Sequence, residues 1–173
     1  MRKSATGLKI FLAEFCGTTM YVYLGVRVVI WIWGNGSFID NALPSESYRR
    51  ILTGFLFGAA GCLATTSYVG KFSGSHINPP VSLAFWLRCK MYTRIFIGYV
   101  VGQMACSITG DVPLLFWGNQ GKCIHYGMTL PGSGGMLHAF LGEVFVTACL
   151  ITVLYLFKGT KKLRNYTAFA MPF

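Results

Sequence analysis

Four stretches of this 173-residue chain are apolar for long enough to cross a lipid bilayer, and nothing else in the sequence limits the fold as strongly. They run over about 8–33, 51–69, 95–117 and 137–157, and a bilayer core takes roughly 20 apolar residues per helix. Hydrophobic residues make up 54% of the chain and charged residues only 12%, with a mean hydropathy of +0.54. A soluble domain carries about 25% charged residues. So small a share cannot cover a globular surface in water, and the chain is read as an all-α polytopic membrane protein with the lipid bilayer as its solvent.

The formal charge is +10, which raises nucleic-acid binding as a function class. The positions of the charges exclude it. Arg2, Lys3 and Lys9 lie near the start, Lys71, Arg88, Lys90 and Arg94 form a second group, and Lys158, Lys161, Lys162 and Arg164 a third. They flank the apolar runs and do not form a basic surface interleaved with exposed aromatics. With the N-terminus in the cytoplasm, all of these fall in inward loops, against Arg49, Arg50 and Lys122 outside. That asymmetry satisfies the positive-inside rule, and Trp31, Trp33, Tyr48 and Trp117 fit interfacial belts. The first apolar run is too long for the apolar core of a signal peptide, and no small-residue cleavage site follows it. It is expected to stay in the mature chain.

Cys16, Cys62, Cys89, Cys106, Cys123 and Cys149 show neither a Cys-x-x-Cys nor a Cys/His metal spacing. No metal or other cofactor is expected, and buried thiols of this kind act as small hydrophobes. Cys123, in a polar loop, is the one candidate for exposure.

The chain also repeats itself. Moving the fourth apolar run onto the first, with an offset of 129 positions, superposes Leu137 on Leu8, Phe140 on Phe11, Leu141 on Leu12, Glu143 on Glu14 and Thr147 on Thr18. The two runs begin on opposite sides of the membrane, which is the signature of an inverted-topology repeat. Residues 1–122 then form a complete first repeat of three spans and one re-entrant half-helix, 123–136 an outer loop, and 137–173 an incomplete second repeat. Residues 165–173 read as the opening turns of a further helix.

The half-helix lies between the second and third spans, in Ser73-Gly74-Ser75-His76-Ile77-Asn78-Pro79-Pro80 and the apolar residues after it. Gly70 and Gly74 let the chain turn back into the membrane. Asn78 is a good helix N-cap and Pro79 suits the first helical position. A helix over 78–87 is about 15 Å long, half the hydrocarbon core. Non-helical backbone at that depth is tolerated only against protein or a water-filled cavity. The carbonyls of Gly74, Ser75, His76 and Ile77 therefore point to a wet pathway, and the helix end at Asn78 sets a partial positive charge near mid-membrane. Such an end raises the barrier to cations and protons. This is permeation chemistry, and it needs no nucleophile or general base.

Gly74 through Ser82 resembles the first signature motif of the aquaporin and glycerol-facilitator family. The resemblance continues through Ala13-Glu14-Phe15, Gln103, Thr129-Leu130-Pro131-Gly132 and Gly142-Glu143. It implies a channel for passive transport of water or small neutral solutes such as glycerol, not an enzyme. It also implies that Asn78 orients water at the pore centre, that His76 lines the inner half, and that Glu14 and Glu143 are buried acids holding pore loops. Gln103, Pro79 and Pro80 support the loop, with Pro80 standing where the family usually has alanine. Phe57 or Gly58 falls at the constriction contributed by the second span. The family's habit of forming tetramers makes a homo-tetramer, or assembly with full-length members, the expected partnership. By the repeat, a counterpart of Asn78 is due near position 207, 129 after it. A non-conducting member of the family is the alternative to a working channel.

Arg27 and Asp111 remain as unusual charges late in the first and third spans. Each would be costly alone in lipid, and their similar depth points either to an ion pair or to Arg27 snorkelling to the interface.

Overall fold

The computed structural model describes residues 4–170, with side chains from 7 to 169. Arg2, Lys3 and the terminal Pro172 and Phe173 lie outside the described residues. All regular structure among the described residues is helical.

Helix α1 spans Ser4–Trp33. No proline interrupts it, and it stops where Gly34-Asn35-Gly36 turns the chain, with Gly36 at φ +73°. The short α2, Phe38–Ala42, follows and is capped by the Ser37 hydroxyl, which accepts from the Asp40 N–H. Helix α3 covers Glu46–Thr66. An acid in the first turn suits the positive end of the helix dipole, and Glu46 also pairs with Arg50 one turn on at 2.6 Å. The chain breaks at Ser67, whose hydroxyl caps α4, Tyr68–Ser73, by accepting from the Gly70 N–H.

The stretch expected to be one span over 51–69 is thus two helices with a kink between them. Three helices among the described residues are long and apolar enough to cross a membrane: Gly7–Trp33, Thr93–Lys122 and Gly135–Gly159. Helix α3 has the length, but its first turns carry Glu46, Arg49 and Arg50. Arg49 bonds Asp40 and lies 4.8 Å over the Trp33 ring.

Helix α5, Pro79–Leu87, is only nine residues long, or about 14 Å. Helix α6 covers Thr93–Asp111 and tightens into a 3-10 segment over Val112–Trp117. Pro113 lies at its start and can supply no N–H to an α-helical ladder. A single turn, α7 (Gly118–Lys122), leads to the outer loop, and α8 spans Gly135–Gly159. The tail ends in α9, Thr167–Ala170, which docks on α3: the Thr65 hydroxyl donates to the Ala168 carbonyl at 3.2 Å.

Helices α1 and α6 run parallel, joined by small residues. A Cβ on Gly102 would meet the Phe11 ring at 2.9 Å, and one on Gly110 would meet Val22 at 2.9 Å. The Thr19 and Thr109 hydroxyls share a hydrogen bond at 3.3 Å. Close approach through small residues and hydroxyl contacts is how helices associate where lipid removes the hydrophobic driving force. Helix α3 lies antiparallel to α1, its buried face being Gly58, Ala60, Gly61, Ala64 and Thr65. Trp33 Nε1–H donates across this seam to the Thr53 hydroxyl at 2.9 Å.

Candidate functional site

The loop between α4 and α5 is built by three left-handed residues in five. Gly74 ends α4 at φ +97°, Ser75 follows at +47° and Ile77 at +56°. A β-branched residue at positive φ is strained, so something must hold Ile77 there. Two bonds do. The Asn78 N–H donates to the His76 carbonyl at 2.6 Å, closing a three-residue turn around Ile77. The Ile77 N–H donates to Glu14 Oε1, also at 2.6 Å.

Glu14 is 1% exposed and lies in the first third of the Gly7–Trp33 span. Its Oε1 also accepts from Gln103 Nε2 at 2.9 Å, and that amide reaches the Ser82 hydroxyl at 3.2 Å. His76 Nδ1 is hydrogen-bonded to the same hydroxyl at 3.1 Å. One carboxylate oxygen on α1 therefore ties together the loop, the first turn of α5 and the middle of α6. The His76 ring is packed between Phe85 and Tyr99, with centroids 4.6 and 5.0 Å away. The Tyr99 hydroxyl donates to the Ser73 carbonyl at 2.5 Å, fixing the end of α4.

The close approach at the foot of this loop admits no side chain. A Cβ on Gly70 would lie against the Ala64 carbonyl, 2.5 Å from Ser75 Oγ and 2.9 Å from the Thr65 carbonyl.

Asn78 occupies the N-cap position of α5, with Pro79 and Pro80 in the first two helical positions. Its carbonyl accepts from Val81 and Ser82, but its side chain makes no capping bond. The amide is left facing a cavity of about 80 Å³ lined by Tyr21, Gly61, Thr65, His76, Ile77, Asn78, Val81 and Leu150. Four helices and the loop contribute to this wall, and a cavity of that size holds a few waters.

Of the residues singled out in the sequence, His76, Ile77 and Asn78 line the cavity, while Glu14, Gln103, Pro79 and Pro80 lie behind it. Gly74 and Ser75 shape the turn without lining the cavity. Phe57 lies outside the lining: its ring covers Gly25 and meets Tyr21 edge-on at 5.3 Å. Gly58 is buried in the α3 seam. Glu143 is exposed on α8 and has no hydrogen-bond partner among the described residues, so it holds no loop here. The pair of Arg27 and Asp111 does not form. The Arg27 guanidinium lies 4.6 Å from the Trp31 ring centroid and 5.5 Å from that of Trp117, a cation–π arrangement, while Arg27 Nε and Asp111 Oδ1 are each buried without a hydrogen-bond partner.

Five wall residues, Tyr21, Gly61, Thr65, Val81 and Leu150, and the ties made by Ser82 and Tyr99, were not singled out from sequence. A signal existed for two. Tyr21 is seven positions after Glu14 and so shares its helix face. Leu150 is the counterpart of Tyr21 at the repeat offset of 129. The two line the same cavity from opposite helices.

The sequence profile of the major intrinsic protein family matches residues 1–172. The chain belongs to the major intrinsic protein family. In keeping with that family, it is an all-helical, multi-pass membrane protein. An aquaporin of Encephalitozoon cuniculi is 28% identical over 148 residues, covering 79% of this chain and 57% of that protein. A probable aquaporin AqpM of Archaeoglobus fulgidus is 30% identical over 158 residues, covering 84% and 63%. A glycerol uptake facilitator protein-like 6 of Lactiplantibacillus plantarum is 26% identical over 146 residues, covering 84% and 59%. The chain of this major intrinsic protein thus spans little more than half the length of these relatives.

Proposed function

We propose that these residues form the first half of a pathway for water or small neutral solutes such as glycerol, with the Asn78 amide as its central hydrogen-bonding group. The observation that carries this reading is the bond from the Ile77 N–H to Glu14 Oε1 at 2.6 Å. It holds the loop inside the span so that the Asn78 side chain, free of any capping duty, meets the cavity. A neutral amide beside the positive end of α5 can donate to a passing oxygen while repelling cations. His76 and Ile77 set the width of the inner half, and the bond network of Glu14 and Gln103 keeps the loop in place.

In this reading α3 crosses the membrane with its charged first turns at the outer interface, and the N-terminus is cytoplasmic. The loop, α5 and the helices around them form one repeat over 1–122, and α8 opens a second. A second opposed half-helix and its asparagine are not among the described residues, so Asn78 meets no counterpart across the cavity. The 173 residues alone are therefore expected to conduct poorly. A second reading is association with full-length members or further copies, as in a tetramer. It is favoured by α8, whose Phe140, Leu141, Val144, Phe145 and Val146 are all at least half exposed.

Reconstitution in liposomes, followed by osmotic shrinkage under light scattering, tests the half-pathway reading. Shrinkage at the rate of empty liposomes is expected. A rate well above empty liposomes would mean that these residues make a complete pore by themselves.

A further inference from the structure

The turn between α5 and α6, at the opposite end of α5 from Asn78, borders a second and larger cavity of about 640 Å³ that opens to the surface. Its walls include Trp86, Leu87, Lys90, Met91, Tyr92 and Thr93. The frame is rigid. Trp86 stacks on Phe96 with centroids 5.1 Å apart and an interplanar angle of 13°, and its Nε1–H donates to the Thr93 hydroxyl at 3.0 Å. The backbone closes the turn through Cys89 N–H to the Trp86 carbonyl at 2.9 Å and Lys90 N–H to the Phe85 carbonyl at 3.0 Å.

Charge around this cavity has one sign. Lys90 lines it, and Arg88 and Arg94 adjoin its wall residues in the chain; all three are exposed, and Lys90 and Arg94 make no ion pair among the described residues. The chain has five acids, and none is available to neutralise them. Glu14 is buried, Asp40 and Glu46 are bound to Arg49 and Arg50, and Asp111 and Glu143 lie at the other ends of their helices. Arg88 is partly engaged, 4.6 Å over the Tyr155 ring.

Depth and apolar surface narrow the choice of anion. Thr93 is the first residue of the Thr93–Lys122 span, so the cavity lies where the bilayer's headgroups begin. Leu87, Tyr92 and Ile97, beside it, are 66%, 81% and 55% exposed. A free anion would meet the basic side chains and leave these bare. A lipid would cover both.

We propose that this cavity binds the phosphate headgroup of an anionic glycerophospholipid. Lys90 and Arg94 contact the charge, Thr93 lies at its floor, and the acyl chains run over Leu87, Tyr92 and Ile97. Basic side chains at the membrane surface favour acidic lipids in this way. The site is distinct from the Asn78 cavity and independent of permeation.

The test is a thermal-shift titration of the full chain in neutral detergent micelles. The probes are dioctanoyl-phosphatidylglycerol, dioctanoyl-phosphatidylcholine and inorganic phosphate. Phosphatidylglycerol is expected to bind about 10-fold more tightly than phosphatidylcholine, and inorganic phosphate to give no shift at matched concentration. The exposed double substitution Lys90→Gln/Arg94→Gln should bring phosphatidylglycerol to within about 2-fold of phosphatidylcholine. Lys161→Gln/Lys162→Gln, which removes the same charge elsewhere, should retain the preference. Equal affinity for the two lipids would overturn the proposal. So would an equal shift with inorganic phosphate, or an equal loss in the Lys161/Lys162 pair.

Discussion

Glu14 and Glu143 occupy matching places in two copies of one sequence pattern, yet the protein treats them oppositely. Glu14 is 1% exposed and accepts from both Ile77 and Gln103 through one oxygen. Glu143, 129 positions on, is exposed with no hydrogen-bond partner among the described residues. The helices that carry them are similar in length and apolar character. What differs is the loop: α1 has the turn of His76, Ile77 and Asn78 packed on it, while α8 meets α5 nearer its other end, where the Tyr155 hydroxyl donates to the Ala84 carbonyl at 2.8 Å. A buried acid in a membrane helix is costly by itself, and its place is justified by the donors brought to it.

Leucine at each position should separate the two most strongly. Glu14→Leu leaves the Ile77 N–H and the Gln103 amide buried without their acceptor and is expected to cost about 3 kcal/mol. Glu143→Leu should change stability by less than about 0.5 kcal/mol. Unfolding in mixed micelles, read by circular dichroism, gives both values, and similar costs would break the contrast. Gly70→Ala comes next, at about 2 kcal/mol, because the added methyl meets two backbone carbonyls that cannot yield like a flexible side chain. Alanine at Gly142, beside Glu143 and with open space around its Cβ position, should be neutral or slightly stabilising by helix propensity. Tyr99→Phe removes one hydrogen bond to the Ser73 carbonyl and is expected to cost about 1 kcal/mol.

The smallest effect concerns the outer ends of α1 and α6. Arg27 lies over the Trp31 and Trp117 rings and makes no ion pair with Asp111. A double-mutant cycle of Arg27→Gln and Asp111→Asn should therefore give a coupling below about 0.5 kcal/mol. A coupling of 1 kcal/mol or more would restore the ion pair that the sequence alone allows.

The helical membrane class was legible because uninterrupted apolar length is a local property. The start of α5 was legible for a similar reason, since Asn-Pro-Pro presets a helix N-terminus. The extent of α3 was not, because Glu46, Arg49 and Arg50 lower the local hydropathy and their pairing with Asp40 and Trp33 is tertiary. In the site, Glu14 stood out as an acid within an apolar run, and Gln103 entered through the family resemblance. Ser82 and Tyr99 did not, since a small hydroxyl or a tyrosine within a span is unremarkable until its partner is known. Phe57 illustrates the opposite error of resolution: its place in the chain pointed to a constriction, while the gap over Gly25 and the edge of Tyr21 draw its ring into the α1–α3 seam. Arg27 and Asp111 share a depth, but pairing depends on helix rotation, which two isolated charges do not encode.

The claim that Asn78 is the central group of a water pathway is tested most directly by supplying the other half. A chimera would carry residues 1–159 ahead of the part of the Archaeoglobus fulgidus relative that lies beyond the matched segment. In liposomes, its osmotic shrinkage is expected to exceed that of empty liposomes, and Asn78→Asp should reduce the gain at least about 10-fold by placing a charge in mid-membrane. Shrinkage by the chimera that Asn78→Asp leaves unchanged, with the variant equally well inserted, would contradict the account.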